Sequence, residues 1–276
     1  MNDESDRNKQ PNLNQNSLNT GMTGWLWVKQ GFEIFRKQPA EMLSLFFGYM
    51  FVSLAVGLIP VLGQALPILL IPTLMMGFMQ ACRQSQKGTR VNFSMLFEGF
   101  RSPAFSRLLT LGVLYIIAAL LVLGISSLAD DGFLWEVMVM QKVVDEAAIR
   151  NSGMLGAMLL AAIAYIPALM AFWFAGPLIM WNRMSVGKAV FYSFFAVKKS
   201  GRAFLVFGSA WLLLGVFLPM FASVLIGAIA NSPVLIMIIM VPVSLALTAV
   251  MYCSFYPTYV DVFGAPEVDV LMKEDE

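Results

Sequence analysis

Three long stretches of this chain contain no Lys, Arg, Asp or Glu: 42–82, 151–182, and the interval between Arg202 and Asp261. A membrane-crossing helix needs about 20 apolar residues to cover roughly 30 Å of hydrocarbon. The stretch 42–82 therefore holds two crossings, with Pro60, Gly63, Gln64 and Pro67 marking a hairpin over Leu58–Pro67. Leu108–Ala129 predicts a third span and Gly153–Trp181 a fourth. Ala203–Val260 predicts the fifth and sixth, broken at Ala230, Asn231, Ser232 and Pro233. The expected fold class is all-α, a polytopic membrane protein whose six transmembrane helices occupy residues 23–264.

Outside the spans the polar residues set the topology. Residues 1–22 are rich in Asn, Asp, Gln and Ser, which predicts a disordered tail. That tail lacks the basic and apolar regions of a signal peptide, so the first apolar helix is expected to act as an uncleaved membrane signal. Lys and Arg number five before the first span, none in the first hairpin and five between spans 2 and 3. The segment Asp130–Arg150 has two, Arg183–Arg202 has five, and the last hairpin has none. Basic loops stay in the cytoplasm, so both termini are expected there, including the acidic tail 265–276.

A related pattern precedes each odd-numbered span. It reads Phe32-Glu33-Ile34-Phe35-Arg36-Lys37-Gln38-Pro39, then Phe97-Glu98-Gly99-Phe100-Arg101-Ser102-Pro103, then Phe194-Phe195-Ala196-Val197-Lys198-Lys199-Ser200-Gly201. Pro72, Pro177 and Pro257 fall in matching parts of spans 2, 4 and 6. The expected unit is an interfacial helix followed by a membrane hairpin, present three times, as internal repeats often build membrane folds. Trp25, Val28, Phe32 and Phe35 share one face of the first such helix. Phe93, Leu96, Phe97 and Phe100 share one in the second, and Val186, Ala189, Val190, Phe194 and Val197 in the third. Apolar faces with basic flanks suit the headgroup plane. Arg36, Lys37, Arg101, Lys198, Lys199 and Arg202 are therefore the candidate lipid-headgroup contacts. The same helices also suit a second role, as elbows packed beneath the hairpins. A fourth amphipathic stretch, Phe133–Ile149, places Leu134, Val137, Met138 and Val144 on one face and predicts a lid or a partner-docking helix on the outer side.

Composition narrows the chemistry. Hydrophobic residues form 59% of the chain and charged residues 13%, against about 25% charged in a soluble domain; the mean hydropathy is +0.74. There is no histidine, which removes the commonest general base and metal ligand. Cys82 and Cys253 are too far apart in sequence to read as a zinc knuckle or a disulfide framework. Asp130, Asp131, Asp145 and Glu146 form the acidic cluster that could hold a divalent cation, or simply a solvated face. Within the spans only hydroxyls, amides and small residues interrupt the apolar pattern. The Ala157-Ala161, Ala164-Ala168 and Ala171-Ala175 pairs in the fourth span, and Gly208, Gly215, Ala222 and Gly227 in the fifth, predict close helix packing.

The run Trp25-x-Trp27-x-x-x-Gly31-Phe32-x-x-Phe35-Arg36-x-x-Pro39, with Gly77-Phe78-Met79-x-Ala81-Cys82-Arg83 closing the hairpin, resembles a proteobacterial family of six-span inner-membrane proteins with no settled activity. Ser185-Val186-Gly187-Lys188-Ala189-Val190-x-x-Ser193-Phe194 is similar to a repeat in the membrane domain attached to some glycerophosphodiester phosphodiesterases. The resemblance covers about residues 25–264 and implies a bacterial inner membrane and a six-helix bundle. It brings no catalytic residues, because the phosphodiesterase chemistry belongs to a separate domain.

The expected function is a non-catalytic integral inner-membrane protein acting through lipid or protein contacts in the envelope, with no cofactor. Membrane lipids are the expected partners, with a second membrane protein or another copy of the chain, and no nucleic acid. The alternatives are a small transporter or channel for an apolar or amphipathic solute, and a lipid-modifying enzyme using the acidic cluster.

Overall fold

The computed structural model describes residues 21–59, 63, 65–142, 153–230 and 232–266. The predicted tail before Gly21, the centre of the first hairpin, residues 143–152 and the acidic end 267–276 lie outside them. Among the described residues every regular element is helical, and six helices are long and apolar enough to cross a membrane. In chain order these elements are α1 (Gly21–Lys37), α2 (Pro39–Gly57), α3 (Ala65–Gln86), a 3-10 turn (Phe93–Phe97), α4 (Glu98–Arg101), α5 (Phe105–Asp130) and α6 (Phe133–Met138). There follow α7 (Met154–Phe172), α8 (Ala175–Met180), α9 (Val186–Lys199), α10 (Gly201–Leu212), a π turn (Leu213–Phe217), α11 (Leu218–Ala230) and α12 (Pro233–Phe263). The spans are α2, α3, α5, α7–α8, α10–α11 and α12. Their starts follow local chemistry. Pro39 and Pro233 occupy first-turn positions where no backbone N–H is needed. The Ser232 hydroxyl accepts the Leu235 N–H at 3.4 Å.

The fifth span, with its single proline at Pro219, shows how the backbone absorbs a helix breaker. Pro219 cannot donate to the carbonyl four residues earlier, and its ring crowds that carbonyl. The π turn immediately before it widens the helix and relieves the crowding.

The chain divides into two compact units. The first combines α1 with α10, α11 and α12. Of the two roles expected for α1, the packing matches that of an elbow. Gly24 abuts Ala203 and Phe207, Trp27 packs edge-on against Phe204 and Phe207, and Phe32 stacks on Trp211. That register runs α1 alongside α10 in the same direction. Gly31 against Ser254, and the Trp27 indole N–H donating to Asp261 Oδ2 at 2.9 Å, run it antiparallel to α12. The buried face is Gly24, Trp27, Val28, Gly31 and Ile34, whereas Trp25 of the predicted face is exposed. The cause is steric: a Cβ on Gly24 would lie 2.1 Å from the Ala203 carbonyl oxygen. The two glycines let backbones meet where larger apolar residues could not. Spans 5 and 6 contain 29 and 31 residues, about ten more than the hydrocarbon requires, and α1 docks along the first part of span 5 and the last part of span 6.

The second unit holds residues 38–198. Its core lies at the end of the bundle that bears the basic loops, around Thr73–Ser85 of α3. The predicted second interfacial helix is a 3-10 turn followed by the four-residue α4. Three residues per turn align Phe93, Leu96 and Gly99 on one side, where they meet Gly48, Gly77 and Thr73 respectively. A Cβ on Gly77 or Gly99 would approach backbone oxygens within 2.4 and 2.2 Å. A regular α-helix would not hold all three in register.

Elsewhere the spans present apolar side chains outward. Leu128 is 82% exposed and Ile229 86%, which is intelligible only where hydrocarbon replaces water. Gly208 and Gly215 face open space, so the close packing predicted at them is absent; Gly227, by contrast, faces Ile236. Among the described residues the predicted outer helix is regular over Phe133–Met138, and its predicted face includes exposed Met138; residues 143–149 lie outside the described residues.

Candidate lipid-contact site

The six basic residues predicted to meet headgroups are all exposed. Arg36 and Lys37 end α1, Lys199 ends α9 and Arg202 opens α10; these four belong to the first unit. Because α1 and α10 run in register from Gly24 and Ala203, Arg36 lies about 20 Å along the axis from Arg202. They form separate sites, not one cluster. Arg101 ends α4 and Lys198 lies in the last turn of α9, both in the second unit.

Small or hydroxyl residues anchor the elbows behind these charges. In the second unit Ser193 of α9 is buried and inserts into span 4. Its Oγ accepts the Phe174 N–H at 2.9 Å and donates to the Met170 carbonyl at 2.9 Å. A side chain inserted in the i to i−4 ladder breaks a helix, and α7 ends and α8 begins on either side of that point. Gly99 rests on Thr73 of span 2. In the first unit, Gly31 rests on Ser254 of span 6. The contacts at Thr73, Phe174 and Ser254 fall within three residues of Pro72, Pro177 and Pro257 respectively. The signal was present in sequence as small residues inside aromatic runs, but hydropathy ranks them low.

Two basic residues counted only as loop charge have structural roles. Arg83 is 5% exposed and its Nη1 donates to Gln80 Oε1 at 3.3 Å. Arg107 donates to the Arg183 and Met184 carbonyls at 2.8 and 3.2 Å, tying span 3 to the end of span 4. Glu98 has its carboxyl pKa raised by burial, against the opposing pull of the Arg83 and Arg101 guanidiniums. Gln38 bridges to the loop after span 2: its amide donates to the Thr89 carbonyl at 2.7 Å and accepts the Val91 N–H at 2.8 Å.

Of the four acidic residues singled out on the outer side, two lie among the described residues. Asp130 is buried and its two oxygens accept the Gly132 and Leu134 N–H groups at 3.1 and 2.7 Å. It terminates α5 and starts α6, with one backbone N–H on each carboxylate oxygen. Asp131 is exposed, and Asp145 and Glu146 lie outside the described residues. Among the described residues no three carboxylate or thiol side chains converge on one point.

A probable inner membrane protein of Burkholderia thailandensis is 39% identical to this chain over 250 residues, covering 89% of this chain and 92% of that one. This chain belongs to that family of inner membrane proteins. It is a multi-pass protein of the inner membrane, with its spans in contact with lipid. No family model matches the chain, and no solved structure does. The likeness of 185–194 to the phosphodiesterase-linked membrane domain gains no support from these matches.

Proposed function

We propose that this protein is a non-catalytic component of the inner membrane that organises anionic lipid through its elbows. The observation that carries the reading is the pairing of a sunken small residue with exposed basic side chains at each elbow. Gly31 precedes Arg36 and Lys37, Gly99 precedes Arg101, and Ser193 precedes Lys198, Lys199 and Arg202. Burying one face holds the helix still, while long basic side chains on the other reach headgroup phosphates. Each elbow rests on an even-numbered span beside its proline, which supports three copies of one elbow-and-hairpin unit. The basic loops support cytoplasmic termini.

Neutralising all six basic residues to Gln tests the proposal. Phosphatidylglycerol retained through purification, read by native mass spectrometry, is expected to fall to the level of zwitterionic lipid. Retention that does not change would overturn it. A reporter fused after Glu276 is expected to be active only in the cytoplasm. The Ser193 insertion in span 4 and the π turn in span 5 favour a second reading, passage of an amphipathic solute. Reconstituted vesicles showing flux that S193A alters would select it.

A further inference from the structure

We propose that a recess among spans 2, 3 and 4 holds one acyl chain of a membrane lipid beneath α6. It lies at the opposite end of α5 from Arg101 and stands independently of the headgroup reading. Its volume is about 690 Å3, and its walls include Ile68 of α3, Ala119 and Leu123 of α5, Met138 of α6, and Ala161 and Tyr165 of α7. Among the described residues no lining side chain is charged, and the Tyr165 hydroxyl is the one polar side-chain group.

Two features give the recess its form. Alanines on the facing walls of α5 and α7 hold side-chain bulk back from the space between them. The helix α6 is fixed across the outer end, because Asp130 accepts its first N–H groups and Leu134 is 5% exposed. The turn into α6 uses left-handed backbone at Asp131 and Gly132, with φ of 51° and 88°. The occupant follows from continuity with the lipid-facing surface. Met158 and Leu120 line the recess and are 51% and 45% exposed, so the recess opens at the surface of spans that contact lipid. What reaches an uncharged recess from hydrocarbon is an alkyl chain, and burial of apolar surface against fixed walls retains it.

The test is photo-cross-linking of the full chain in vesicles of phosphatidylethanolamine and phosphatidylglycerol, doped with phosphatidylglycerol carrying a mid-chain diazirine. Labelling is expected to concentrate on Met138 and on 158–165, in excess of labelling on spans 5 and 6. A119F and A161F, which fill the recess from opposite walls, are expected to abolish that excess. Labelling of spans 5 and 6 and the helical circular dichroism signal should persist in both. Uniform labelling of all spans, or an excess that survives both substitutions, would overturn the proposal. The sixfold Gln variant separates it from the headgroup reading: an excess that persists there supports the recess, and one that vanishes with the basic residues counts against it.

Discussion

The Ser193 hydroxyl stands in the backbone ladder of the fourth span, between the Phe174 N–H and the Met170 carbonyl, at 2.9 Å from each. In an uninterrupted helix those two groups would bond to each other. S193A removes the partner of both, in a position with no exposure. It is expected to cost about 1–3 kcal/mol, the range for stranding a buried backbone group. Hydrogen exchange should quicken at 172–176, and thermal unfolding in detergent should shift down. Unchanged exchange there would mean that the ladder closes without the hydroxyl.

Glycines in this chain separate by what faces them. G31A places a Cβ 2.6 Å from that of Ser254, so α1 must move away from α12. A Cβ at Gly208 meets nothing within 4 Å, and replacing a helical glycine with Ala gains roughly 0.5–1 kcal/mol. G31A is therefore expected to lower the unfolding temperature and expose a protease site near α1, while G208A raises the temperature or leaves it unchanged. Equal effects from both would contradict the docking described for α1.

The bond from the Trp27 indole to Asp261 links elements 234 positions apart. Hydrogen bonds to a charged acceptor contribute about 1.5–3 kcal/mol. W27F and D261A should each destabilise the first unit, and the double variant should cost less than their sum. A double-mutant cycle checks this; strict additivity would show that the bond contributes nothing.

Burial raises the Glu98 pKa above its ordinary value of 4.5, against the pull of Arg83 and Arg101. A raised carboxyl pKa means that the folded state holds its proton more tightly than the unfolded chain. The associated stability is present below the unfolded value and is lost as pH rises through the folded one. E98Q is accordingly expected to be more stable than the parent at pH 7, with the difference fading toward pH 4. Melting curves across that interval decide it, and a difference that grows on acidification would reverse the assignment.

Six spans and their breaks were legible in the chain because hydrocarbon imposes one demand, about 20 apolar residues in a row, and charge-free runs meet it visibly. The third elbow was legible for a similar reason, since Ala189 and Val197 lie on its predicted face and are buried. The first elbow was legible in part: Val28 and Phe32 of its predicted face pack inward, whereas Trp25 is exposed. Its contact face is set by Gly24 and Gly31, and hydropathy gives glycine no weight although the absence of a Cβ is what admits the neighbouring helix. The second kept its buried Leu96 but changed its period, because three-residue spacing reaches Gly48, Gly77 and Thr73 together.

What the sequence alone determined was therefore how often the chain meets the membrane and where it turns, properties that a run of residues carries without neighbours. Only the tertiary structure decided which basic residues stay exposed, that Arg83 and Asp130 are buried, and that a serine breaks span 4. Those outcomes depend on distances between segments far apart in the chain. Close packing admits only the residues small enough to fit or the polar groups that find a partner.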